Sequence, residues 1–298
     1  MDWDFSRELA KHGPASTDTP VSPAGARAYC QRVAKSRPEN FTVASVLLPR
    51  PLLPHFYAVY AWCRWADDLA DETGPAAVNL LAWWRDELLA MYEGDPRHPV
   101  TVALRETVGR FAIPPDPFLA LLAAFEQDQR VKAYATFDDL LGYCRNSANP
   151  VGHLVLMLFQ CFTPDRAALA DEVCTGLQLA NFWQDVSRDL EIGRVYLPEE
   201  DRRRFGYPDA DLWARRFTPA FRDLIWFEVD RTRGFFERGK ALLPTLPRAV
   251  RVDVDLFVRG GEAVLHAIEA RRYDVLTARP AVPKWQKLGL VLRAILGA

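Results

Sequence analysis

Tyr60, Arg64, Asp67 and Asp71 fall in the run Phe56-Tyr-Ala-Val-Tyr-Ala-Trp-Cys-Arg-Trp-Ala-Asp-Asp-Leu-Ala-Asp-Glu72. A helix turns by about 100° per residue, so these four side chains share an arc of roughly 60°. One face would then carry two carboxylates, a guanidinium and a phenol. A second run, Gln178-Leu-Ala-Asn-Phe-Trp-Gln-Asp-Val-Ser-Arg-Asp189, steps Asn181, Asp185 and Asp189 by four. These three sweep about 80°, with Gln178 inside the same arc. Arg194 and Tyr196 follow closely.

Carboxylates four residues apart on one face repel unless a positive charge relieves them. Hard oxygen donors favour Mg²⁺ or Mn²⁺ over Zn²⁺, and Mg²⁺ completes its shell with water and phosphate oxygens. Two such stripes facing each other would hold a diphosphate through bridging ions. Arg64, Arg194, Tyr60 and Tyr196 would steady the remaining oxygens. Zinc is disfavoured because the five histidines are scattered and no H-E-x-x-H occurs. A carboxylate-bridged di-iron centre would need a pair of Glu-x-x-His motifs that the chain lacks. A single D-x-x-x-D is ordinarily a solvated face. Trp62, Trp65, Leu69, Phe182 and Trp183 flank the stripes where lysines would be expected on such a face. Spacing alone leaves the solvated face and the metal–diphosphate site both open.

Helices must position these residues. Pro54 opens a run to about Glu72, Thr136 starts one through Tyr143, and Asp165 is a candidate cap for a long helix that Gly193 ends. Thr218-Pro219 starts another with apolar residues at three-to-four spacing, and Arg248–Tyr273 and Lys284–Leu296 complete the set. A break is expected near Asn149-Pro150. Two-residue alternation is almost absent, which predicts an all-α single domain over 26–298. Residues 1–25, with a Pro/Ser/Thr-rich stretch from 12 onward, read as a flexible N-terminal leader.

The 298 residues are 49% hydrophobic and 26% charged, which suits an ordinary folded protein with ample core. The 37 basic and 39 acidic residues leave a net charge of −2, so bulk charge does not point to nucleic acid. No apolar stretch is long enough to span a bilayer, and the N-terminus lacks a secretory pattern. Five cysteines without C-x-x-C spacing read as reduced, buried thiols, hence a cytoplasmic setting. The tail from Lys284 mixes basic, aromatic and aliphatic residues, as a helix resting on the inner face of a membrane would, although ordinary packing as a final helix is the favoured reading.

The order and separation of three pieces resemble the squalene and phytoene synthase family of head-to-head prenyltransferases. They are Tyr60-Ala-Trp-Cys-Arg64-x-x-Asp67-Asp68-x-x-Asp71, Leu177-Gln-Leu-Ala-Asn181-x-x-x-Asp185-x-x-x-Asp189, and Gly193-Arg194-Val-Tyr196-Leu-Pro198. The likeness runs from about Tyr29 to Lys287. It implies an isoprenoid synthase helical bundle around a central cavity, Mg²⁺ with Mn²⁺ as a substitute, and isoprenoid diphosphate substrates. It assigns Asp67, Asp71, Asn181, Asp185 and Asp189 as catalytic metal ligands. Asn40, Phe41, Tyr60, Arg64, Gln178, Gln184, Arg194, Tyr196 and Tyr273 stand as substrate-binding candidates, and Asp274 and Arg279 share the family segment of Tyr273.

Within the family, Gln184 stands where phytoene and squalene synthases carry Arg, Glu39-Asn40-Phe41 replaces a Ser-Phe or Thr-Phe pair, and Ser147-Ala-Asn-Pro-Val-Gly152 departs from Ala-Gly-Thr-Val-Gly. These variants resemble the hydroxysqualene synthase branch of bacterial hopanoid biosynthesis. That branch takes presqualene diphosphate from a sister synthase, releases hydroxysqualene and pyrophosphate for a downstream reductase, and needs no NADPH. Loss of a cation at 184 suits a substrate with one diphosphate. Phe41, Phe182 and Trp183 are aromatic candidates for facing a carbocation, and Asn40, Asn149 and Gln184 are polar candidates for placing the quenching water. The rival readings are a condensing synthase of presqualene diphosphate, squalene or phytoene, and a catalytically silent assembly or binding factor.

Overall fold

Threonine and proline write most of the helix starts in this chain. The computed structural model describes residues 3–16, 21–36 and 48–283, which group into two compact units. The first unit, Met1–Arg130 with Leu154–Gln160, contains α1 (Phe5–His12), α2 (Pro23–Ser36), α3 (Leu53–Glu72), α4 (Ala77–Glu93), α5 (Pro99–Phe111) and α6 (Asp116–Asp128). The second, Val131–His153 with Cys161–Ala298, contains α7 (Phe137–Ser147), the start of α8 (Asn149–Leu158), α9 (Pro164–Glu191), α10 (Glu199–Arg204), α11 (Asp209–Trp213), α12 (Pro219–Gly239) and α13 (Arg248–Ala270). Among the described residues the only sheet-like pairing is a single bridge between Ala133 and Val195. None of the described helices is long and apolar enough to cross a membrane.

The all-α expectation is met, and the helical break falls at Ala148, between α7 and α8. Within the span 26–298, read as one domain, the described residues group into the two units above, the first taking back residues 154–160 after a detour through the second. Residues 1–25, read as a leader, include α1 and the first residues of α2. Asp4 caps α1 by accepting from the Arg7 amide, and Phe5 is buried edge-on against Trp65 with ring centroids 5.1 Å apart. Two aromatics, Trp3 and Phe5, anchor a segment whose polar neighbours read as a leader. The predicted helix Lys284–Leu296 lies outside the described residues.

In the first unit α3 is oriented by what it buries. Trp62, Trp65 and Leu69 are fully buried with Trp84 of α4, the Trp65 and Trp84 rings stacking at 5.5 Å. His98 stands edge-on to Trp65 at 4.3 Å, and burial holds its imidazole well below its ordinary value, hence neutral. Each buried indole contributes about 5 kcal/mol of hydrophobic transfer as an upper bound. This fixes the helix rotation and leaves the line through Tyr60, Arg64, Asp67 and Asp71 less buried.

In the second unit α9 packs against α7, α12 and α13, and glycines set the approach of α12 and α13. A Cβ on Gly261 would press into the Phe236 ring and lie 2.9 Å from Leu177 Cδ2. A Cβ on its neighbour Gly260 would meet nothing within 4 Å. Opposite outcomes are therefore expected. Gly261→Ala should lose about 2 kcal/mol through overpacking, whereas Gly260→Ala should gain up to about 1 kcal/mol from helix propensity. Urea unfolding midpoints read both.

Asp253 on α13 is buried, and neither carboxylate oxygen has a hydrogen-bond partner among the described residues. Burial pushes its carboxyl up to about 6. The folded state thus binds this proton more tightly than the unfolded chain. Stability then falls as pH rises from the ordinary carboxylate value to about 6, and the cost persists above it. Asp253→Asn should remove that fall, leaving the variant about 2 kcal/mol more stable than the parent at pH 8 and similar to it near pH 4. Urea titrations at the two pH values check this.

Candidate active site

On α3, Arg64 is the centre of an ion-pair cluster. Its Nη1 stands 2.9 Å from Asp67 Oδ2, and its Nη2 donates to Asp68 Oδ1 and lies 3.9 Å from Glu72. Asp68 is fully buried, and its second oxygen accepts from Trp3 Nε1 at 2.9 Å. Burial works against the Arg64 charge, but the Asp68 hydrogen bond and the charges of Asp67 and Asp68 outweigh it and raise the group above its ordinary value. Arg64, predicted to hold diphosphate, is thus committed first to its own helix. Asp67 is less buried than Arg64, Tyr60 is half-buried and Asp71 is exposed. The phenol, the two carboxylates and the guanidinium do share one side of α3, as their spacing requires.

On α9 the second stripe is graded in burial: Asn181 is exposed, and Gln178, Asp185 and Asp189 are half-buried. The cap of this helix is Thr163, which accepts from the Arg166 amide, and not Asp165. Pro164 decides the matter, since proline belongs at the first helical position and puts the cap one residue before it. Gly193, with φ +72°, lies two residues beyond the last turn. Burial and then the Asp185 charge push the Asp189 carboxyl up to about 7, against the pull of Arg194, Arg188 and Arg279. This repelling pair of carboxylates would be relieved by a cation.

Arg194 and Tyr196 are placed by backbone pairing. The Val195 amide donates to Lys132 O at 2.7 Å and the Arg194 amide to Asp189 O at 2.8 Å. The Tyr196 ring stacks on Phe182 at 3.9 Å and on Tyr134 at 5.9 Å. Phe182 and Tyr196, with Asp189 and Arg194, line a cavity of about 10 Å³, the size of one water. Phe182 and Trp183, candidates for facing a carbocation, are buried packing residues, Trp183 donating to Thr232 at 2.8 Å.

A contact that no local pattern announces lies beside Asp185. The Arg279 guanidinium grips both of its oxygens, with Nη2 at 2.9 Å from Oδ2. The same Nη2 donates to Gln184 Oε1 at 2.8 Å, and Gln184 Nε2 donates to Pro280 O at 2.7 Å. Gln184 is buried, so it belongs to the wall of the site. The chain reaches this point through successive left-handed residues, Arg272 (φ +55°) and Tyr273 (φ +65°), and a turn tied by Asp274 to the amides of Leu276 and Thr277. Tyr273 itself donates to Glu269 at 3.4 Å. Asn149 is buried and accepts from Thr175 at 3.0 Å. Gln184 and the Asn149 carbonyl oxygen are therefore engaged within the protein. Asn40 and Phe41 lie outside the described residues.

Among the described residues no group of three or more His, Cys, Asp or Glu side chains gathers as a metal site. Each stripe instead offers two carboxylates, with Asn181 added on α9. That donor set fits Mg²⁺, which takes one or two carboxylates and completes its shell with water and phosphate.

A family model described as squalene/phytoene synthase matches residues 34–286. The chain is 30% identical over 287 residues to a phytoene synthase of Arthrospira platensis, covering 91% of this chain and 92% of that one. Its structure is similar to that of the squalene synthase HpnC from Alicyclobacillus acidocaldarius, with TM-score 0.82 and 42% identity, covering 86% of this chain and 97% of the other. A dehydrosqualene synthase solved with a ligand is also similar, with TM-score 0.82 and 27% identity over 92% of this chain and 97% of that one.

Proposed function

As the chain belongs to the squalene/phytoene synthase family of isoprenoid-forming enzymes, we propose that it converts presqualene diphosphate to hydroxysqualene and pyrophosphate. The observation that carries this reading is Gln184. The position next to Asp185 holds a buried, neutral amide bonded at both ends, so its own side chain adds no further cation beside Arg279 for a second diphosphate. A substrate with one diphosphate needs none there. The 42% identity to HpnC, against 30% to the phytoene synthase, supports the same branch.

Asp67 and Asp71 on α3 and Asn181, Asp185 and Asp189 on α9 would hold Mg²⁺. When bound, it supplies Lewis-acid neutralisation of the departing pyrophosphate. Arg194 lies beside Asp189 and donates to anionic oxygens as the ester C–O bond breaks. The cyclopropylcarbinyl cation rearranges to an allylic cation. Water adds to it and gives up one proton, which yields the alcohol without a reductant. The enzyme would stand between a presqualene diphosphate synthase and a reductase, at or near the inner face of a membrane.

The test is an organic extract analysed by mass spectrometry after incubation with Mg²⁺ and presqualene diphosphate in H₂¹⁸O, without NADPH. Hydroxysqualene carrying ¹⁸O is the expected product. Consumption of farnesyl or geranylgeranyl diphosphate in its place would move the chain to the condensing branch, which the phytoene synthase similarity favours. Silence with every substrate would leave an assembly or binding role.

A further inference from the structure

The bidentate hold of Arg279 on Asp185 has a consequence for metal binding. A carboxylate whose two oxygens both accept from one guanidinium is already neutralised. A divalent ion seeking that carboxylate must take it from Arg279 and meet the repulsion of a cation a few ångströms away. Gln184 makes this arrangement durable. Its Oε1 accepts from the guanidinium while its Nε2 holds the Pro280 carbonyl of the backbone carrying Arg279. Only a side chain that donates and accepts at once can do both, which an arginine at this position could not. Behind it, Pro280, Val275 and Leu276 are buried and Asp274 ties the turn, so the segment is built to return Arg279 to one place.

We propose that Gln184 is a positioning residue for Arg279, and that the two form a latch with which a divalent ion competes for Asp185. Metal alone then binds weakly. An anion arriving with the metal gives Arg279 a new partner and removes the competition, so metal and diphosphate binding reinforce each other. The proposal rests on the preceding reading only in taking Asp185 as a metal ligand. It is independent of which prenyl diphosphate is used.

The experiment is a Mn²⁺ titration of the whole protein followed by electron paramagnetic resonance, with no substrate or pyrophosphate present. Arg279→Gln should tighten Mn²⁺ binding about tenfold, because it removes the competing charge. Gln184→Leu, which keeps the volume and loses both hydrogen bonds, should tighten it about threefold by loosening Arg279. The double variant should match Arg279→Gln alone, because Gln184 acts only through Arg279. A residue with a merely structural role would leave Mn²⁺ affinity unchanged or weaken it. Unchanged or weaker binding in Arg279→Gln overturns the latch, and additive effects in the double variant overturn the role of Gln184. The Arg279 side chain is partly exposed, so its variant remains informative should Gln184→Leu fail to fold. Asp185→Asn should weaken Mn²⁺ binding in the parent. If it does not, the metal assignment fails, and the latch fails with it.

Discussion

Asp185→Ala is expected to lower turnover of presqualene diphosphate by about 10³-fold or more, some 4 kcal/mol of transition-state stabilisation. Asp67→Ala should fall in the same range. The physical ground is that pyrophosphate is a poor leaving group until its developing charge is neutralised, and on the proposed function these carboxylates would hold the ion that does so. Neither substitution should cost much stability. Asp185 pairs with Arg279, which is partly exposed and can be solvated once released, and Asp67 is itself partly open to water. Removing Asp185 also takes away a charge that raises Asp189, so the Asp189 carboxyl should return toward its ordinary value. Product formation by mass spectrometry and thermal unfolding of the same preparations check both halves. A loss of activity that tracks a loss of folded protein would mean that the stripes are structural.

How far the sequence reaches can be seen at individual residues. The stripes are legible because helical spacing is a local rule: Asp67 and Asp71, or Asn181, Asp185 and Asp189, need only their own helix to align. The Thr136 and Thr218 caps and the break at Ala148 are local in the same sense. The cap of α9 was equally written in the chain, since Pro164 selects Thr163 over Asp165, but two cap-type residues so close together invite the wrong choice. Burial of Gln184 is another matter. Its angle on the helix can be computed, yet α9 is covered on several sides, and only the arrival of residues 279–280 shows that this face is closed. Arg279 is 94 residues from Asp185 in sequence and Trp3 is 65 from Asp68. No periodicity links such partners. The grouping into two units has no local mark for the same reason, because α8 carries the chain between them without a change in composition.

Asp68 is the adjacent case in which stability, and not chemistry, should fail. Asp68→Ala is expected to destabilise the protein by about 3–4 kcal/mol, the range for removing one partner of a buried ion pair. Its carboxylate is fully buried, accepts from Trp3 and pairs with Arg64. The truncation leaves a largely buried guanidinium with Asp67 and the more distant Glu72, and leaves the Trp3 indole N–H without its acceptor. Asp68→Asn keeps an acceptor for Trp3 but turns its amide donor toward Arg64, losing the charge and that hydrogen bond, so it should cost nearly as much as Asp68→Ala. Trp3→Phe, which removes the indole donor, should cost about 1 kcal/mol and loosen α1, and limited proteolysis within residues 3–16 would report it. Urea unfolding orders the three variants. Equal stability of Asp68→Ala and the parent would show that Arg64 is held by Asp67 alone. The contrast with Asp67→Ala, one residue away, is the sharper reading. Neighbours on a helix point about 100° apart, so one carboxylate can be kept for chemistry at the surface while the next fixes the guanidinium between them.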